Sequence, residues 1–217
     1  MPYVIDRPVK RLLAVASACL PLLVFASPAA AYNSQYAQYQ PSAPASSGCP
    51  MPSSSQVFSG LGDSSYYSLL PGGSFQGPLN GWVLNGASVV PGGEPWNVSN
   101  SANPQSLNLP AGSYAVTPTF CLTNLFPSWR FFADANNSSG SQLQVTALYS
   151  DINGYSGQIT ATTQSSDNYS SWAATPVLPL GSAVPAGDTV NVRLVFSVGS
   201  SGGTWNLDDL YIDPYSR

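Results

Sequence analysis

The side chains able to do chemistry are nine acids beyond residue 31, namely Asp63, Glu94, Asp134, Asp151, Asp167, Asp188, Asp208, Asp209 and Asp213, together with five tryptophans; histidine is absent. Without an imidazole, Ser-His-Asp and Cys-His mechanisms lack their base, and the only lysine, Lys10, lies at the start of the chain. Carboxylates alone support glycoside hydrolysis, which needs two acids about 5 to 9 Å apart across the scissile bond. Adjacent Asp208 and Asp209 would point to opposite faces of a strand, so they cannot form that pair. Glu94, Asp134 and Asp151 could converge only through the fold. Solvated or metal-binding acids are the plainer reading. The stretch DINGYSG at Asp151 to Gly157 departs from a calcium loop, since Ser156 and Thr162 stand where Gly and Glu are required. It reads as a hairpin turn at Asn153-Gly154, with positive φ expected at both central residues.

Flat aromatic faces hold sugar rings and also fill β-sandwich cores. Trp82 and Trp205 lie in apolar surroundings and read as core. Trp96 in GGEPWNVSN and Trp172 in NYSSWAATP stand among small polar residues, which makes them candidates for carbohydrate binding. Trp129 is the third candidate; it precedes Arg130 at a strand entrance, where stacking on a cation is an equal alternative.

These residues are carried by short β-prone runs separated by Gly, Pro, Asn and Ser, with no convincing helix. In Thr189 to Val198, Val190, Val192, Leu194, Phe196 and Val198 line one face and Asn191, Arg193 and Ser197 the other. Leu143 to Tyr149, Ile159 to Thr163, Trp129 to Ala133 and Trp205 to Ile212 are further strands. About eight to ten such strands predict an all-β domain over 56–217 built as two packed antiparallel sheets, with an up-and-down barrel as the alternative.

The basic stretch Arg7, Lys10, Arg11, the apolar run from Leu12 to Phe25 and the alanines at 29–31 read as a signal peptide over 1–31. That run is too short for a spanning helix and is interrupted by Pro21, so no transmembrane segment is expected in the mature chain and the protein is expected to be secreted. Residues 32–55 are rich in Tyr, Gln, Ser and Pro without apolar period and read as a flexible lead. Beyond residue 31, three arginines face the nine acids, which excludes nucleic acid as a partner. Cys49 and Cys121 form an even pair in an oxidising compartment and predict one disulfide, whose long loop is worth about 4 kcal/mol by loop-closure entropy.

Two segments carry a resemblance. LLPGGSFQGPLNGWVLNGASVV at 69–90 resembles the opening of jelly-roll carbohydrate-binding modules, and GTWNLDDLYIDP at 203–214 resembles their closing strand. SLNLPAGSYAVTPTFCL between them fits the strand order of the same galactose-binding-like fold. The whole is also similar to a group of secreted actinobacterial proteins with the pattern GW, RFF and W.LDD.Y.DP. The resemblance implies a galactose-binding-like, two-sheet antiparallel jelly-roll sandwich. It further implies a structural calcium ion joining the opening segment to Asp208 or Asp209, with Asp63 as partner; Gln76 stands where the family carries an acid. The function it implies is non-catalytic binding of an extracellular glycan or another cell-surface component. A structural or adhesive protein contacting other proteins is the alternative, followed by a carboxylate-only glycosidase. A monomer is expected.

Overall fold

The computed structural model describes residues 34–46, 48–50, 53–99, 104–122, 128–136, 138–180 and 189–213. The leader expected over 1–31 lies outside them. Thirteen strands make up the described part. They are β1 (Ser68–Leu69), β2 (Val83–Asn85), β3 (Ser88–Pro91), β4 (Gln105–Leu109), β5 (Tyr114–Val116), β6 (Phe120–Leu122) and β7 (Ser128–Asp134). The later ones are β8 (Gln142–Asp151), β9 (Ser156–Ser165), β10 (Ala173–Ala174), β11 (Leu178–Pro179), β12 (Val190–Val198) and β13 (Trp205–Asp213).

One sheet runs β10-β7-β13-β4-β3, with β1 also on β13 and β11 on β7; the other runs β2-β5-β12-β8-β9, with β6 on β12. Every ladder between these strands is antiparallel. Two open sheets, each with its own edges, make this an all-β sandwich of the jelly-roll kind rather than a barrel. We call them the β13 sheet and the β12 sheet.

Period-2 alternation places the core as the sequence predicts. Leu143, Val145 and Ala147 of β8 and Val190, Val192, Leu194, Phe196 and Val198 of β12 turn inward and are fully or almost fully buried. They meet Trp129 and Phe131 from β7, stacked at 5.3 Å, with Phe196 set edge-on to both. Trp205 is fully buried and its indole N–H donates to Ser141 Oγ at 2.8 Å. Trp82 is half-buried, packs edge-on to Phe75 and donates to Pro71 O.

Two expectations give way. In the turn between β8 and β9, Gly154 alone has positive φ, and Asn153 does not. The Asp151 carboxylate accepts from both Asn153 N and Tyr155 N, so a side chain closes the turn without a second left-handed residue. The lead expected to be flexible is packed: over 34–46 and 48–50 it runs as a strap along the outer face of the β12 sheet. Tyr36 and Tyr39 of its short 3-10 turn (Ser34–Tyr39) cover Val116, Leu148 and Val195, three outward-facing side chains with no exposure. Gln40 donates to Tyr149 O and Gly157 O, Ser150 Oγ to Pro41 O, Asn191 Nδ2 to Ser42 O and Gly48 N to Thr189 Oγ1. The strap ends at the predicted disulfide, Cys49 to Cys121 on β6, which closes a separation of 72 residues.

Phe196 sits at the meeting point of the aromatic trio, so Phe196→Ala is expected to cost about 3–5 kcal/mol of stability in urea unfolding. A loss below about 1 kcal/mol would show that the core is not centred there.

Candidate functional site

Two places in the described structure could bind or react. The first is built at an interruption of β13. Asp208 pairs with Phe132 and Tyr211 with Arg130, so Asp209 and Leu210 together oppose Phe131 alone, a β-bulge. Asp209 takes φ of +50° to make it. The opening segment locks onto this bulge: Leu70 N donates to Leu210 O, and Leu210 N to Gly73 O. A Cβ on Gly73 would stand 2.9 Å from Leu210 O, which is why glycine is required there.

The bulge buries three acids together. Glu94, Asp208 and Asp209 are 4 %, 2 % and 0 % exposed. Asp208 Oδ2 accepts from Glu94 N at 3.1 Å, an approach that Gly93 permits because a Cβ there would lie 2.4 Å from the same oxygen. Asp208 Oδ1 accepts from Asp209 N, and the two Glu94 oxygens accept from Trp96 N and Val98 N. Neither Asp209 oxygen has a hydrogen bond of ordinary geometry among the described residues, although Ser99 and Glu94 lie close enough to act on its carboxyl. Burial, reinforced by the Asp209 charge, pushes Asp208 up to about 8. Burial and the Glu94 charge push Asp209 up to about 7, with Ser99 pulling the other way. Among the described residues, no three acids or cysteines are placed around a common centre able to hold a metal ion; the carboxylates are organised by backbone N–H groups instead.

Asp63, the partner expected for Asp208 or Asp209, is engaged elsewhere. It forms an ion pair with Arg130 Nη1 at 3.1 Å and accepts from Tyr67 OH and Ser65 N. Burial raises its pKa, but these bonds outweigh that and hold it at about 2. Glu94 takes its place beside the two aspartates. The sequence offered Glu94 as a hydrolytic acid or as a solvated or metal-binding one, without placing it beside Asp208 and Asp209; the GGE triplet, two glycines that let backbone approach a buried acid, is the signal that could have found it. Gln76 donates to Ser74 O and Gln105 O, fastening the opening segment to β4.

The tryptophans divide. Trp129 is 1 % exposed in the core, which removes it as a ligand platform: its position on β7 points inward, and Arg130 points to the opposite face, over Phe58. Trp96 is 45 % exposed and stacks on Phe132 at 5.3 Å. Trp172 is half-buried against the same outer cluster of Phe58, Tyr67, Phe132 and Tyr211. The fold therefore brings Trp96 and Trp172 to one face of the β13 sheet, above the buried acids.

The second place is a groove of about 510 Å³ on the outer face of the β12 sheet, which the sequence did not disclose. Gln142, Gln144 and Thr146 of β8 and Ser197 of β12 form its floor, and Tyr36 and Tyr114 stand along one side. Among the described residues its lining contains amides, hydroxyls, glycines, one valine and two phenols, and no acidic or basic side chain. Gln144 Nε2 donates to Thr160 Oγ1 of β9, which orients the amide. The Tyr39 hydroxyl, 3.1 Å from that of Tyr114, acts with burial to push Tyr114 up to about 12, so it stays a neutral donor.

The acid cluster has a pH signature. Asp208 and Asp209 hold protons in the folded state that the unfolded chain releases above its value of 3.8, so their contribution to stability is present in mild acid and lost as pH rises through about 7 to 8. Asp63 acts oppositely, stabilising above 3.8 and losing this as pH falls through about 2. In chelator, the melting temperature is expected to fall from about pH 5 to about pH 8, and Asp209→Asn, which tolerates positive φ, should flatten that fall. A flat wild-type profile would show that the cluster carries no uncompensated charge.

No protein-family model and no curated protein matches the sequence. Among solved structures, the chain is similar to the CBM22-1–GH10 modules of Clostridium thermocellum xylanase 10B complexed with xylohexaose, with TM-score 0.46 and 12% identity over 64% of this chain and 27% of that one. It thus spans about a quarter of that structure's length. It is similar to the CBM22-1 xylan-binding domain from Paenibacillus barcinonensis Xyn10C, with TM-score 0.45 and 15% identity over 66% of this chain and 92% of the domain. It is also similar to TmCBM61 in complex with β-1,4-galactotriose, with TM-score 0.41 and 15% identity over 68% and 98% of the two chains.

Proposed function

We propose that the protein is a secreted, non-catalytic module that binds a neutral glycan in the groove on the outer face of the β12 sheet. The observation that carries this reading is the chemistry of the lining. Gln142, Gln144, Thr146 and Ser197 offer donors and acceptors for hydroxyl groups, Tyr36 and Tyr114 add ring surface, and no ionised group is present. A charged ligand would find no counter-charge there, and a peptide would find few apolar pockets. Hydrolysis needs a carboxylate at the bond, and the groove presents none to its ligand. A second reading places the ligand on Trp96, whose exposed ring is held flat by Phe132.

The test is binding of the chain from Tyr32 onward to a panel of neutral oligosaccharides and polysaccharides, starting with xylohexaose and β-1,4-galactotriose. Gln142→Ala and Gln144→Ala together are expected to weaken binding about tenfold or more, as loss of two hydrogen-bonding amides implies, while Trp96→Ala leaves it unchanged. Loss in Trp96→Ala or Trp172→Ala alone would move the site to the other sheet. Absence of binding across the panel would favour a structural or adhesive role through protein contacts.

The proposal retains a structural calcium ion at Asp209 or Asp208, without the expected partner Asp63 and without a third acid among the described residues around the same centre. Its support is the pair of Asp209 oxygens without a hydrogen bond of ordinary geometry, beside two further buried acids. Calcium takes oxygen ligands and would neutralise the cluster when bound. Millimolar calcium is expected to raise the melting temperature near pH 8 relative to chelator, and to do nothing for Asp209→Asn. Identical melting in calcium and chelator would remove the ion from the account.

A further inference from the structure

The groove is open along one side except where the N-terminal strap closes it. Gln35 and Tyr36 of the strap belong to its lining, together with Tyr114 of β5. Tyr36 meets Tyr114 edge-on at 5.3 Å, with the Tyr39 hydroxyl 3.1 Å from that of Tyr114 and the Tyr39 ring facing the Arg193 guanidinium. Arg193 is itself fixed by Thr117 O and Gly81 O. Beneath these rings the outer face changes character, from the polar floor of Gln142, Gln144 and Thr146 to the apolar patch of Val116, Leu148 and Val195. The strap therefore stands on the boundary between the two halves of the face.

We propose that this segment is a wall of the glycan site, that Gln35 and Tyr36 contact the ligand, and that the Cys49–Cys121 disulfide keeps the wall in place. The proposal rests on the groove reading given above. A six-residue 3-10 turn has no stability of its own, so the strap holds its position only through its anchors. Those are the packing of Tyr36 and Tyr39 on Val116, Leu148 and Val195, the polar contacts of Gln40, Pro41, Ser42 and Gly48 and, beyond them, one covalent bond to β6 on the same sheet face. With the disulfide closed, the strap remains at high effective concentration over the sheet. Without that bond, as in Cys49→Ser with Cys121→Ser, the wall is held by noncovalent contacts alone, and the cost of ordering it opposes ligand binding. Affinity then depends on the disulfide and on residues that precede the sandwich, although neither forms part of the groove floor.

The experiment follows the side-chain amide resonances of Gln35, Gln142 and Gln144 in the labelled chain from Tyr32 onward, titrated with xylohexaose and with β-1,4-galactotriose. The expected result is that all three shift with one of these sugars. Affinity should fall about fivefold or more in the double variant Cys49→Ser, Cys121→Ser and in Tyr36→Ala, while the Trp205 indole resonance stays native. Tyr36→Ala keeps the disulfide and decides the matter should the cysteine variant fail to fold. Shifts of Gln142 and Gln144 with Gln35 silent, and variants that bind like the wild type, would overturn the wall and leave the groove reading standing. No shift at any of the three would overturn both, because there would be no ligand for the wall to enclose.

Discussion

The constraint on which the rest depends is that both sheets carry apolar side chains on their outer faces as well as their inner ones. A sandwich covers only the inner faces by packing its sheets. Here Val116, Leu148 and Val195 point outward from the β12 sheet, and Phe132 and Tyr211 from the β13 sheet; all five are buried. Leaving a side chain of this size in water forfeits about 1.5–3 kcal/mol, so the chain outside the strands is arranged to cover these two patches. The strap covers the first. Phe58 and Tyr67 cover the second, with the Arg130 guanidinium 4.5 Å from the centre of the Phe58 ring and paired with Asp63. Both candidate sites lie where a cover stops: Trp96 at the margin of one, the groove at the margin of the other.

Burying the acids follows from the same arrangement. Trp96 reaches Phe132 only because the segment 92–99 folds down onto the outer face, and Glu94 turns that segment by accepting from two of its backbone N–H groups. This brings Glu94 against Asp208 and Asp209 with no arginine among the hydrogen-bond and ion-pair partners of any of the three. Like charges in a desolvated site raise one another's pKa, so a shared proton or a bound cation must neutralise part of the cluster. The bulge at Asp209 is thus where backbone strain, burial and charge coincide. A left-handed, fully buried aspartate beside two further acids is a costly feature, of the kind that accumulates at functional sites.

Much of the fold was legible because long strands carry their own period. In VNVRLVFSV the alternate residues that face inward are all apolar, and the structure places them in the core. The same segments also contained the sign of the covers. Val195 in β12 and Leu148 in β8 are apolar out of phase with their strands, as Phe132 is in β7. A one-sided strand does not need such residues, so each marks an outer face that something else must cover. What covers it could not be read, because the strap's tyrosines at 32, 36 and 39, although at helical spacing, stand in a short stretch rich in Gln, Ser, Ala and Pro that looks like a linker by composition. Its order comes from contacts 75 to 149 residues away in the chain. The tryptophans failed for a related reason: Trp129 and Trp96 differ in exposure because one faces inward on β7 and the other lies in a loop, a distinction that local polarity indicates only in part.

Charge placement separates the two sites chemically. The chain beyond residue 31 has three basic side chains against nine acidic ones, yet none of those among the described residues lines the groove. Arg193, on the same sheet face, is held away from it by the carbonyls of Thr117 and Gly81. The acids with the most strongly perturbed pKa values are instead buried behind the β13 sheet's outer cover, where they act on structure rather than on a ligand. On the proposed reading, the net negative charge of the chain disfavours anionic polymers at long range, and neutral hydroxyl-rich chains are selected at short range by amide and hydroxyl hydrogen bonds. On the same proposed reading, this division assigns stability to one sheet and recognition to the other, with the strap as the element of sequence that serves both.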